Sequence, residues 1–565
     1  LYRSKDMDLS GVFFRHSLLP GAIPMGAQAV VSPAPSGYAA WLRGRAGSAQ
    51  RQNQTCQVVS LPVIFLWLFA WWGLWRLAVL SEPSAYVLSL AVATHLRIPP
   101  PFGQVPPLLD PLLTVLVTYA LPCSVASIAV AVWLASQGYV LSWMWGRWLL
   151  AAVSLAVAHW RRVKASQRIQ SLADSWSSSL PESTGESLTA SGIVRRPRQP
   201  WLTRVHPYFY WFFSELPGRS PSQKVRITRL SAAETGCASS VDVWLSSGGE
   251  GEAGEASDVV RRRPVFFLIH GGAWRGGEAR LSPQAPMLQA LAAAGFLVVS
   301  CEYRRRDRWP AQLDDCRAAL LWTCGSQAAQ LGADASDLTI AGASAGGHIA
   351  TLLMTELLRE TVPAQLSIRV AILFYPAVDP GDRANATIRF PVSLPCFGVR
   401  RGLSTLSWFF EQFVLQRDGS LWPSAEPLEA LCHTDRRLVR SWPPTLLVHG
   451  TFDGVVPIAQ SELLLRNLAE ASEEAACSEN TSAGEGSCDS GESSTSNASR
   501  FNMSTHEVTS KPRRRECDEL LAIPGGRHTF EIAPDGLTDA CYDAALAWLQ
   551  MTRLKPRQTQ QSLSR

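Results

Sequence analysis

The sequence predicts an α/β fold with a mostly parallel sheet, preceded by an N-terminal helical transmembrane region. From about Lys224 onward, short apolar β-patterns alternate with helical patterns. Apolar strands that alternate with helices are typical of a parallel sheet covered by helices on both faces. Before that point, the chain contains long runs of Val, Ile, Leu, Phe and Trp with few charges, which are typical of helices that cross a bilayer.

The N-terminal region divides into a polar start and a set of apolar runs. Residues 1–55 mix Pro, Gly, Ser and basic residues without a sustained period, so we expect them to be mostly disordered. Residues 56–165 form the predicted transmembrane region, because a helix of about 20 apolar residues crosses a bilayer core. We predict three spans, Val58 to Leu80, Pro111 to Ala135 and Tyr139 to Trp160. The shorter segment Ala85 to Ile98 is a candidate for a fourth span.

Basic residues around these runs predict the orientation. Arginines precede the first run, and Arg161, Arg162 and Lys164 follow the last, so both flanks are expected on the cytosolic side. We therefore expect an integral membrane protein of the endoplasmic reticulum or another endomembrane, with its catalytic domain in the cytosol. It requires that Ala85 to Ile98 span the membrane; if that segment does not span, the catalytic part lies on the other side.

The rest of the chain is predicted to hold a linker, a catalytic domain and a tail. Residues 166–200 are rich in Ser, Pro and Glu, which is typical of a linker. Residues 201–555 form the predicted catalytic domain, and an aromatic cluster lies near its start. Within this domain, residues 471–516 are acidic and Ser-rich with few apolar side chains, so we expect a disordered insertion. Residues 556–565 are the tail.

The elements of the catalytic domain are predicted from apolar runs and helical periodicity. The predicted strands are Val225 to Leu230, Val241 to Leu245, Val265 to Ile269, Phe296 to Ser300, Leu338 to Ala341, Val370 to Tyr375, Thr445 to Val448 and Leu520 to Ile523. The predicted helices are Pro286 to Ala294, Gln312 to Ala329, the run that follows Gly347, Ile458 to Leu468 and Leu537 to Met551.

The segment Leu338 to Leu353 has the pattern of a nucleophile elbow. A short apolar β-run leads into Gly342-Ala343-Ser344-Ala345-Gly346 and then into an apolar helix. A sharp strand-to-helix turn needs small residues on both sides of its central residue, and Gly342 and Gly346 meet that need. Ser344 is therefore predicted to stand at a helix N-terminus as a nucleophile.

A serine nucleophile needs a base and an acid, and in such a sheet both are expected just after apolar strands. Asp453 lies in a tight turn after the strand Thr445 to Val448, and His528 lies in the loop after the strand Leu520 to Ile523. The chain order Ser344, Asp453, His528 is the order that this fold requires. We therefore predict these three residues as a catalytic triad.

Donors for a developing oxyanion are predicted at a glycine turn. His270-Gly271-Gly272 follows the third apolar strand, and two glycines allow the main chain to approach a substrate closely. The N–H groups of Gly271 and Gly272, together with that of Ala345 at the elbow, form the predicted oxyanion hole.

Other residues near these motifs are assigned supporting roles. His348 is interpreted as a packing residue near the nucleophile, and His449 as a structural residue before the acid turn. Tyr303 and Arg304 are expected in a loop that an Arg–carboxylate contact stabilises, with the acidic pair Asp314-Asp315 close by.

Composition argues against several classes of function. The net charge is only +5 and no Lys/Arg stripe is interleaved with aromatic residues, so a nucleic-acid partner is not expected. The 12 cysteines are scattered without metal-ligand spacing. We expect no metal and no cofactor, and we interpret Cys301, Cys316 and Cys324 as unpaired core thiols.

Several motifs together resemble the α/β-hydrolase carboxylesterases: His270 to Trp274, Glu302 to Arg304, Gly342 to His348, Gly450 to Pro457 and Gly525 to Phe530. Within that group, the chain is similar to the hormone-sensitive-lipase-like and prenylcysteine-methylesterase-like branch, and to membrane-anchored bacterial lipases of the mycobacterial type. The resemblance covers about Lys224 to Met551 apart from the insertion. It implies an α/β-hydrolase fold, with the triad and oxyanion donors at the residues named above.

The sequence therefore predicts a membrane-anchored serine hydrolase that cleaves carboxylic esters, with a lipophilic ester and the lipid bilayer as its partners. Two alternatives stay open. The donor turn ends in Ala273 rather than a third glycine and is close to the turn of arylformamidases, so an amide or formamide hydrolase could use the same residues. A non-catalytic hydrolase-like binding protein is the other alternative.

Overall fold

The structure is a computed structural model. Its described residues all lie within one compact unit, Gly73–Arg565. They are 83–95, 109–138, 143–179, 225–237, 239–246, 262–280, 282–381, 405–482, 515–532 and 535–554.

Within the described residues, four helices precede the first strand, and the part that follows alternates strands with helices. The strands are β1 (Val225–Leu230), β2 (Val241–Ser246), β3 (Arg263–Ile269), β4 (Leu297–Cys301), β5 (Ala333–Ala343), β6 (Ile368–Phe374), β7 (Thr445–Gly450) and β8 (Glu519–Ile523). The helices are α1 (Pro83–Ala93), α2 (Leu109–Thr118), α3 (Ala120–Ser136), α4 (Trp143–Ser178), α5 (Ala232–Thr235), α6 (Ala285–Ala293), α7 (Ala311–Trp322), α8 (Ser326–Gln330), α9 (Ala345–Arg359), α10 (Thr405–Phe409), α11 (Pro427–Cys432), α12 (Arg436–Val439), α13 (Ala459–Ser482) and α14 (Gly536–Leu554).

The strands form one sheet in the order β1-β2-β4-β3-β5-β6-β7-β8. The pairs β1–β2 and β2–β4 are antiparallel, and every other pair is parallel. Ile269 at the end of β3 pairs with Gly342 of β5, and Gly450 at the end of β7 pairs with Ile523 of β8. The carboxyl ends of these strands therefore lie along one edge of the sheet, where α/β sheets place their sites.

Apolar side chains cover both faces of the sheet. One core cluster contains Leu320 of α7, Ile349 of α9 and Leu465 of α13. A second contains Leu288 of α6 and Leu546 of α14. The predicted α/β fold with a mostly parallel sheet covered on both faces is therefore confirmed. The prediction was possible because strands that are buried on both faces have continuous apolar sequences.

Three predicted elements differ from the structure. The segment Gln312 to Ala329 is two helices, α7 and α8, because Gly325 stands before α8 with an extended backbone. Helix α13 continues to Ser482, past residue 471 at which the predicted insertion begins. Short helical segments occupy Thr405–Val439, for which no helix was predicted.

The predicted membrane spans are not supported by the described part of the chain. Among its helices, none is both long enough and apolar enough to cross a membrane. The described part of the run 85–98 lies mostly in the 11-residue helix α1, which is about 16 Å long against a bilayer core of about 30 Å. The run 111–135 is divided at Tyr119 into α2 and α3. The described part of the run 139–160, from Trp143 onward, belongs to α4, where Arg147 and His159 interrupt the apolar sequence.

Helix α4 instead packs along the hydrolase part of the chain. Its residues Ala165, Ile169 and Ala173 are buried in the same cluster as the core of α14. Residues 166–178, the first part of the predicted linker, therefore belong to a helix whose apolar side recurs every three or four residues.

Several other predictions fall on residues outside the described ranges. These are the disordered start at 1–55, the span Val58 to Leu80, the linker beyond residue 179, the aromatic cluster Tyr208 to Phe213, the insertion between 483 and 514, and the tail at 556–565.

Candidate active site

Ser344 occupies the turn between β5 and α9. Its backbone angles are φ 52° and ψ −116°, a strained combination for a residue with a side chain. Such strain costs on the order of 1–3 kcal/mol and persists only where the surroundings hold it. Here Ser344 N–H donates to Phe374 O at 2.9 Å, and His348 N–H donates to Ser344 O at 3.0 Å. The hydroxyl group is thereby fixed at the helix N-terminus, as the elbow pattern predicts.

Two glycines make this turn possible through close approach of main chains. A Cβ atom on Gly342 would lie 2.4 Å from Gly346 O, and a Cβ on Gly346 would lie 2.1 Å from Ile269 O. Neither position can hold a larger residue without moving backbone. The close approach of Gly346 to Ile269 O places the elbow against the end of β3, where the glycine turn begins.

His528 lies in the loop after β8 and reaches the elbow. Its Nε2 is 3.0 Å from Ser344 Oγ, and its Nδ1 is 2.8 Å from Asp453 Oδ2. With Nδ1–H donating to the carboxylate, the lone pair of Nε2 faces the serine hydroxyl. This arrangement can take the hydroxyl proton as the oxygen attacks a carbonyl carbon.

Asp453 follows β7 and its side chain is fully buried. Its second oxygen, Oδ1, accepts hydrogen bonds from the N–H groups of Val455 and Val456 at 2.9 and 2.8 Å. Burial alone would raise the pKa of Asp453, but the charge of His528 and hydrogen bonds from His449 and His528 hold that pKa well below its usual range. The carboxylate therefore stays ionised and can orient the imidazole.

His449 contacts the acid directly, which its interpretation as a structural residue did not include. Its Nε2 is 3.3 Å from Asp453 Oδ2 and also donates to Val456 O at 2.8 Å, while its Nδ1 is 2.7 Å from Ser461 Oγ. The signal in the sequence was its place at the end of a strand, four residues before Asp453. It therefore contacts the same carboxylate oxygen that His528 Nδ1 reaches.

The three predicted oxyanion donors lie on two sides of Ser344. Ala345 is the first residue of α9, directly after the elbow. A Cβ built on Gly271 would lie 3.4 Å from Ser344 Cβ, so the glycine turn runs beside the nucleophile. Gly272 has φ 134°, and a Cβ there would lie 2.2 Å from Gly276 O, so the turn requires glycine at this position. Ala273, at the position of the expected third glycine, has φ 52°.

A buried pair supports the glycine turn and was not predicted. His270 Nε2 lies 3.5 Å from Glu302 Oε2, and the His270 ring stacks on Tyr303 at 4.3 Å. Burial raises the pKa of Glu302, but hydrogen bonds from His270 and from Ala279 N–H outweigh it and lower the pKa overall. The predicted Arg–carboxylate contact is confirmed nearby, since Arg304 Nε–H donates to Asp315 Oδ1 at 3.0 Å and Arg304 Nη2 lies 2.9 Å from the same oxygen.

His348 packs under the elbow, as predicted. Trp274 Nε1–H donates to its Nδ1 at 3.2 Å, so Nδ1 is an acceptor and Nε2–H donates to Ala425 O at 2.9 Å. Burial lowers the pKa of His348 to about 4, so the ring is neutral. Its neighbours Trp309 and Phe410 meet it edge-on. Because both ring nitrogens are engaged in the core, His348 cannot serve as the base.

A buried carboxyl group lies behind His528 and was not predicted. Glu531 accepts hydrogen bonds at Oε1 from Tyr375 Oη and from Gln284 Nε2, the latter at 2.6 Å. The ring of Tyr375 packs against that of His528 at 4.7 Å. Burial raises the pKa of Glu531 to about 7. The loop that carries His528 therefore also holds Glu531, a carboxyl group whose pKa is raised by burial.

Cys301, Cys316 and Cys324, which were interpreted as core thiols, form no disulfide. The Sγ atoms of Cys301 and Cys316 are 3.7 Å apart in the core.

Comparisons with known proteins agree with this fold. Residues 266–483 match a family described by its alpha/beta hydrolase fold. The chain is similar to esterase LipC of Mycobacterium tuberculosis, with 28% identity over 227 residues that cover 37% of this chain and 51% of LipC. It is also similar to esterase LipQ of the same organism, with 30% identity over 225 residues that cover 37% of this chain and 47% of LipQ.

The chain thus spans about half the length of these two relatives. A solved structure, carboxyl esterase 2 of Tuber melanosporum, aligns over 68% of this chain and 96% of its own, with 17% identity and a TM-score of 0.38. The matched family supports an α/β-hydrolase fold for this part of the chain.

Proposed function

We propose that this protein is a serine esterase in which Ser344, His528 and Asp453 form the catalytic triad. The observation that carries the proposal is the hydrogen-bonded chain from Ser344 Oγ to His528 Nε2, 3.0 Å, and from His528 Nδ1 to Asp453 Oδ2, 2.8 Å. Three loops at the same edge of the sheet supply these groups. A serine, a correctly oriented imidazole and an ionised carboxylate are what acyl transfer requires.

The reaction runs in two halves. Ser344 Oγ attacks the ester carbonyl carbon and gives its proton to His528 Nε2. The carbonyl oxygen becomes an oxyanion that accepts hydrogen bonds from the N–H groups of Gly271, Gly272 and Ala345. The C–O bond to the alcohol then breaks, and His528 returns the proton to the leaving oxygen. Water repeats the sequence on the acyl-serine and releases the acid, and no cofactor takes part.

The test of this assignment uses the purified full chain and p-nitrophenyl butyrate. Ser344→Ala removes the nucleophile, so we expect kcat/KM to fall by roughly a thousandfold or more, with loss of labelling by a fluorophosphonate probe. Ser336→Ala is the matched control, because Ser336 lies on the same strand and is exposed.

Equal rates for the two variants would overturn the assignment, and absence of labelling in the wild-type chain would favour the non-catalytic alternative. A parallel assay with an N-formyl arylamine compares the rate of formamide cleavage with the rate of ester cleavage. Faster cleavage of the formamide than of the ester would replace the esterase proposal with the amide or formamide hydrolase, which uses the same residues.

We further propose that the enzyme works at a lipid surface on a lipophilic ester, and that it contacts lipid through the N-terminal helices. Most of the strongly exposed large apolar side chains that the structure describes lie on α3 and α4. Six of them are 55–61% exposed: Val125, Val132, Trp133, Leu150, Val153 and Trp160. Exposed apolar patches rimmed by polar residues mark interaction sites.

Charge indicates which partner this apolar face would contact. Helix α3 contains no charged residue, and the basic residues Arg147, Arg161, Lys164 and Arg168 lie on α4 with a single acidic residue, Asp174. Basic side chains beside an apolar face suit a bilayer with anionic headgroups, and Trp prefers the membrane interface.

Site-specific photocrosslinking tests the contact with lipid. Trp133 is replaced by p-benzoylphenylalanine in the full chain, which is then bound to vesicles of phosphatidylcholine and phosphatidylserine. We expect a lipid adduct after irradiation. The control carries the same group in place of Leu438, which is 40% exposed on the hydrolase part. Adducts of equal yield at both positions, or none at position 133, would contradict the proposed docking face.

A further inference from the structure

The loop that carries His528 is held on one side by the turn after β7. Phe452 N–H donates to Gly526 O at 2.8 Å, and Gly525 N–H donates to Thr451 Oγ1 at 2.9 Å. Directly after His528, Thr529 has φ 51°, a strained conformation for a β-branched residue. Strain of this kind persists only where the surrounding structure imposes it. The position of His528 therefore depends on what contacts the other side of its loop.

Tyr375 and Gln284 contact this loop at Glu531. The N-terminal helices supply further contacts, and Arg162 of α4 makes the most of these. Its Nε and Nη2 donate to the two oxygens of Asp535, the second bond being 3.0 Å long, and Nη2 also donates to Phe530 O at 3.2 Å. Asp535 in turn accepts from Leu537 N–H and Thr538 N–H at the start of α14. One guanidinium group thus joins α4 to both ends of the segment between His528 and α14.

Smaller contacts repeat the same connection. Ser166 Oγ–H of α4 donates to Gly536 O at 2.7 Å, and Thr114 Oγ1–H of α2 donates to His528 O at 3.4 Å. In the opposite direction, Arg527 Nη2 donates to Ala93 O of α1 at 2.8 Å. Three N-terminal helices therefore contact the main chain or side chains of the loop that carries the base.

We propose that Arg162 is a positioning residue for His528, so that the N-terminal helices are part of the catalytic machinery and not only a lipid-contacting layer. The inference rests on the proposed role of His528 as the base. Arg162 is 7% exposed and Asp535 is 8% exposed, so their bidentate pair is buried and geometrically fixed. A shift of about 1 Å in a catalytic group can cost about a hundredfold in rate, and loss of this clamp frees the segment next to the base.

The experiment must separate positioning from stability, because removal of one partner leaves a buried charge unpaired. The variants are Arg162→Met, Arg162→Met with Asp535→Asn, and the control Gln167→Met, at an exposed position on the same helix. Asn keeps the helix-capping ability of Asp535, so the double variant removes the unpaired charge but not the cap. Full-length proteins are compared in thermal unfolding, in kcat and KM for p-nitrophenyl butyrate, and in the rate of fluorophosphonate labelling.

We expect the double variant to regain most of the melting temperature that Arg162→Met loses. Its kcat and its labelling rate should nevertheless stay about tenfold or more below wild type, with KM nearly unchanged. Gln167→Met should match the wild type. If kcat recovers together with the melting temperature, or does not fall, Arg162 is merely structural and the inference is wrong. Failure of the esterase assignment itself is distinguishable, because Ser344→Ala would then equal the wild type.

Discussion

Ser344 owes its position to its neighbours and not to its own conformational preference. Its φ of 52° is unfavourable, and the cost is offset by main-chain hydrogen bonds to β6 and α9. Gly342 and Gly346 remove the Cβ atoms that would clash with the turn and with β3. The nucleophile is thus fixed relative to the glycine turn by backbone alone. Its hydroxyl can meet His528 without a rearrangement of the elbow.

The raised pKa of Glu531 predicts how its contribution to the free energy of unfolding changes with pH. Its pKa is about 7 in the folded protein, against 4.5 for an unburied Glu. Between pH 4.5 and 7, the unfolded chain therefore loses this proton while the folded chain keeps it. The folded state binds more protons in this range, so the contribution of Glu531 to stability falls as pH rises and is constant above about 7. The change is on the order of 3 kcal/mol over the whole range.

Glu531→Gln removes the titration while its amide oxygen can still accept from Tyr375 and Gln284. The groups that face Glu531 stay in place: His528 and Tyr375 near the elbow, and Cys541 on α14. We expect the free energy of unfolding of the wild type, measured with urea, to decrease relative to that of the variant between pH 5 and 7. Parallel curves for the two proteins would show that Glu531 titrates as an ordinary carboxyl group.

The residues of the proposed triad were predictable because each follows an apolar strand, and a parallel sheet brings strand ends to one edge. The supporting residues were not, since their roles depend on distances between separate loops. Glu302 reaches His270 across two neighbouring strands, and Glu531 reaches Tyr375 from a different loop. Nothing in the local sequence distinguishes these carboxyl groups from surface ones. His449 is intermediate, because its place before Asp453 was visible and its contact with the acid was not.

At the scale of elements, apolar runs located the strands well, and composition misplaced the linker. Residues 166–178 contain Ser, Gln and charged residues, but Ile169, Leu172, Ala173 and Trp176 recur at helical spacing. Ile169 and Ala173 are buried, and Leu172 and Trp176 pack against the same core. A count of residue types over a window loses this period, whereas the helix depends on it. The helix therefore continues past the end of the apolar run.

The short helices between Thr405 and Val439 show the opposite limit. They have few residues each and no repeated period, so neither a helical nor a strand pattern is visible. Their fold depends on the tertiary contacts that they make. Phe410 lies against Trp274 and His348 beneath the elbow, and Ala425 O accepts the hydrogen bond from His348. Tertiary packing of this kind cannot be deduced from a short segment alone.

At the scale of the whole molecule, α4 has two different sides. One side carries Ala165, Ile169 and Ala173 into the core shared with α14, and the other exposes Leu150, Val153 and Trp160. In the apolar run that predicted a membrane span, some side chains are thus buried and others form an exposed face. Because α4 also holds the loop of the base through Arg162, the N-terminal helices and the hydrolase part should unfold as one unit.

This cooperativity can be tested with two substitutions on the same helix. Ile169→Ala leaves a cavity between α4 and the hydrolase core, so we expect a loss of about 2–5 kcal/mol in the free energy of unfolding. Val153→Ala, at a side chain that is 55% exposed, should change it by less than about 1 kcal/mol. In a single unit, the temperature at which Ser344 loses fluorophosphonate labelling should fall together with the melting temperature in Ile169→Ala and stay unchanged in Val153→Ala. If Ile169→Ala lowers the melting temperature but labelling of Ser344 persists to the same temperature as in the wild type, the hydrolase part folds independently of the helices that contact it.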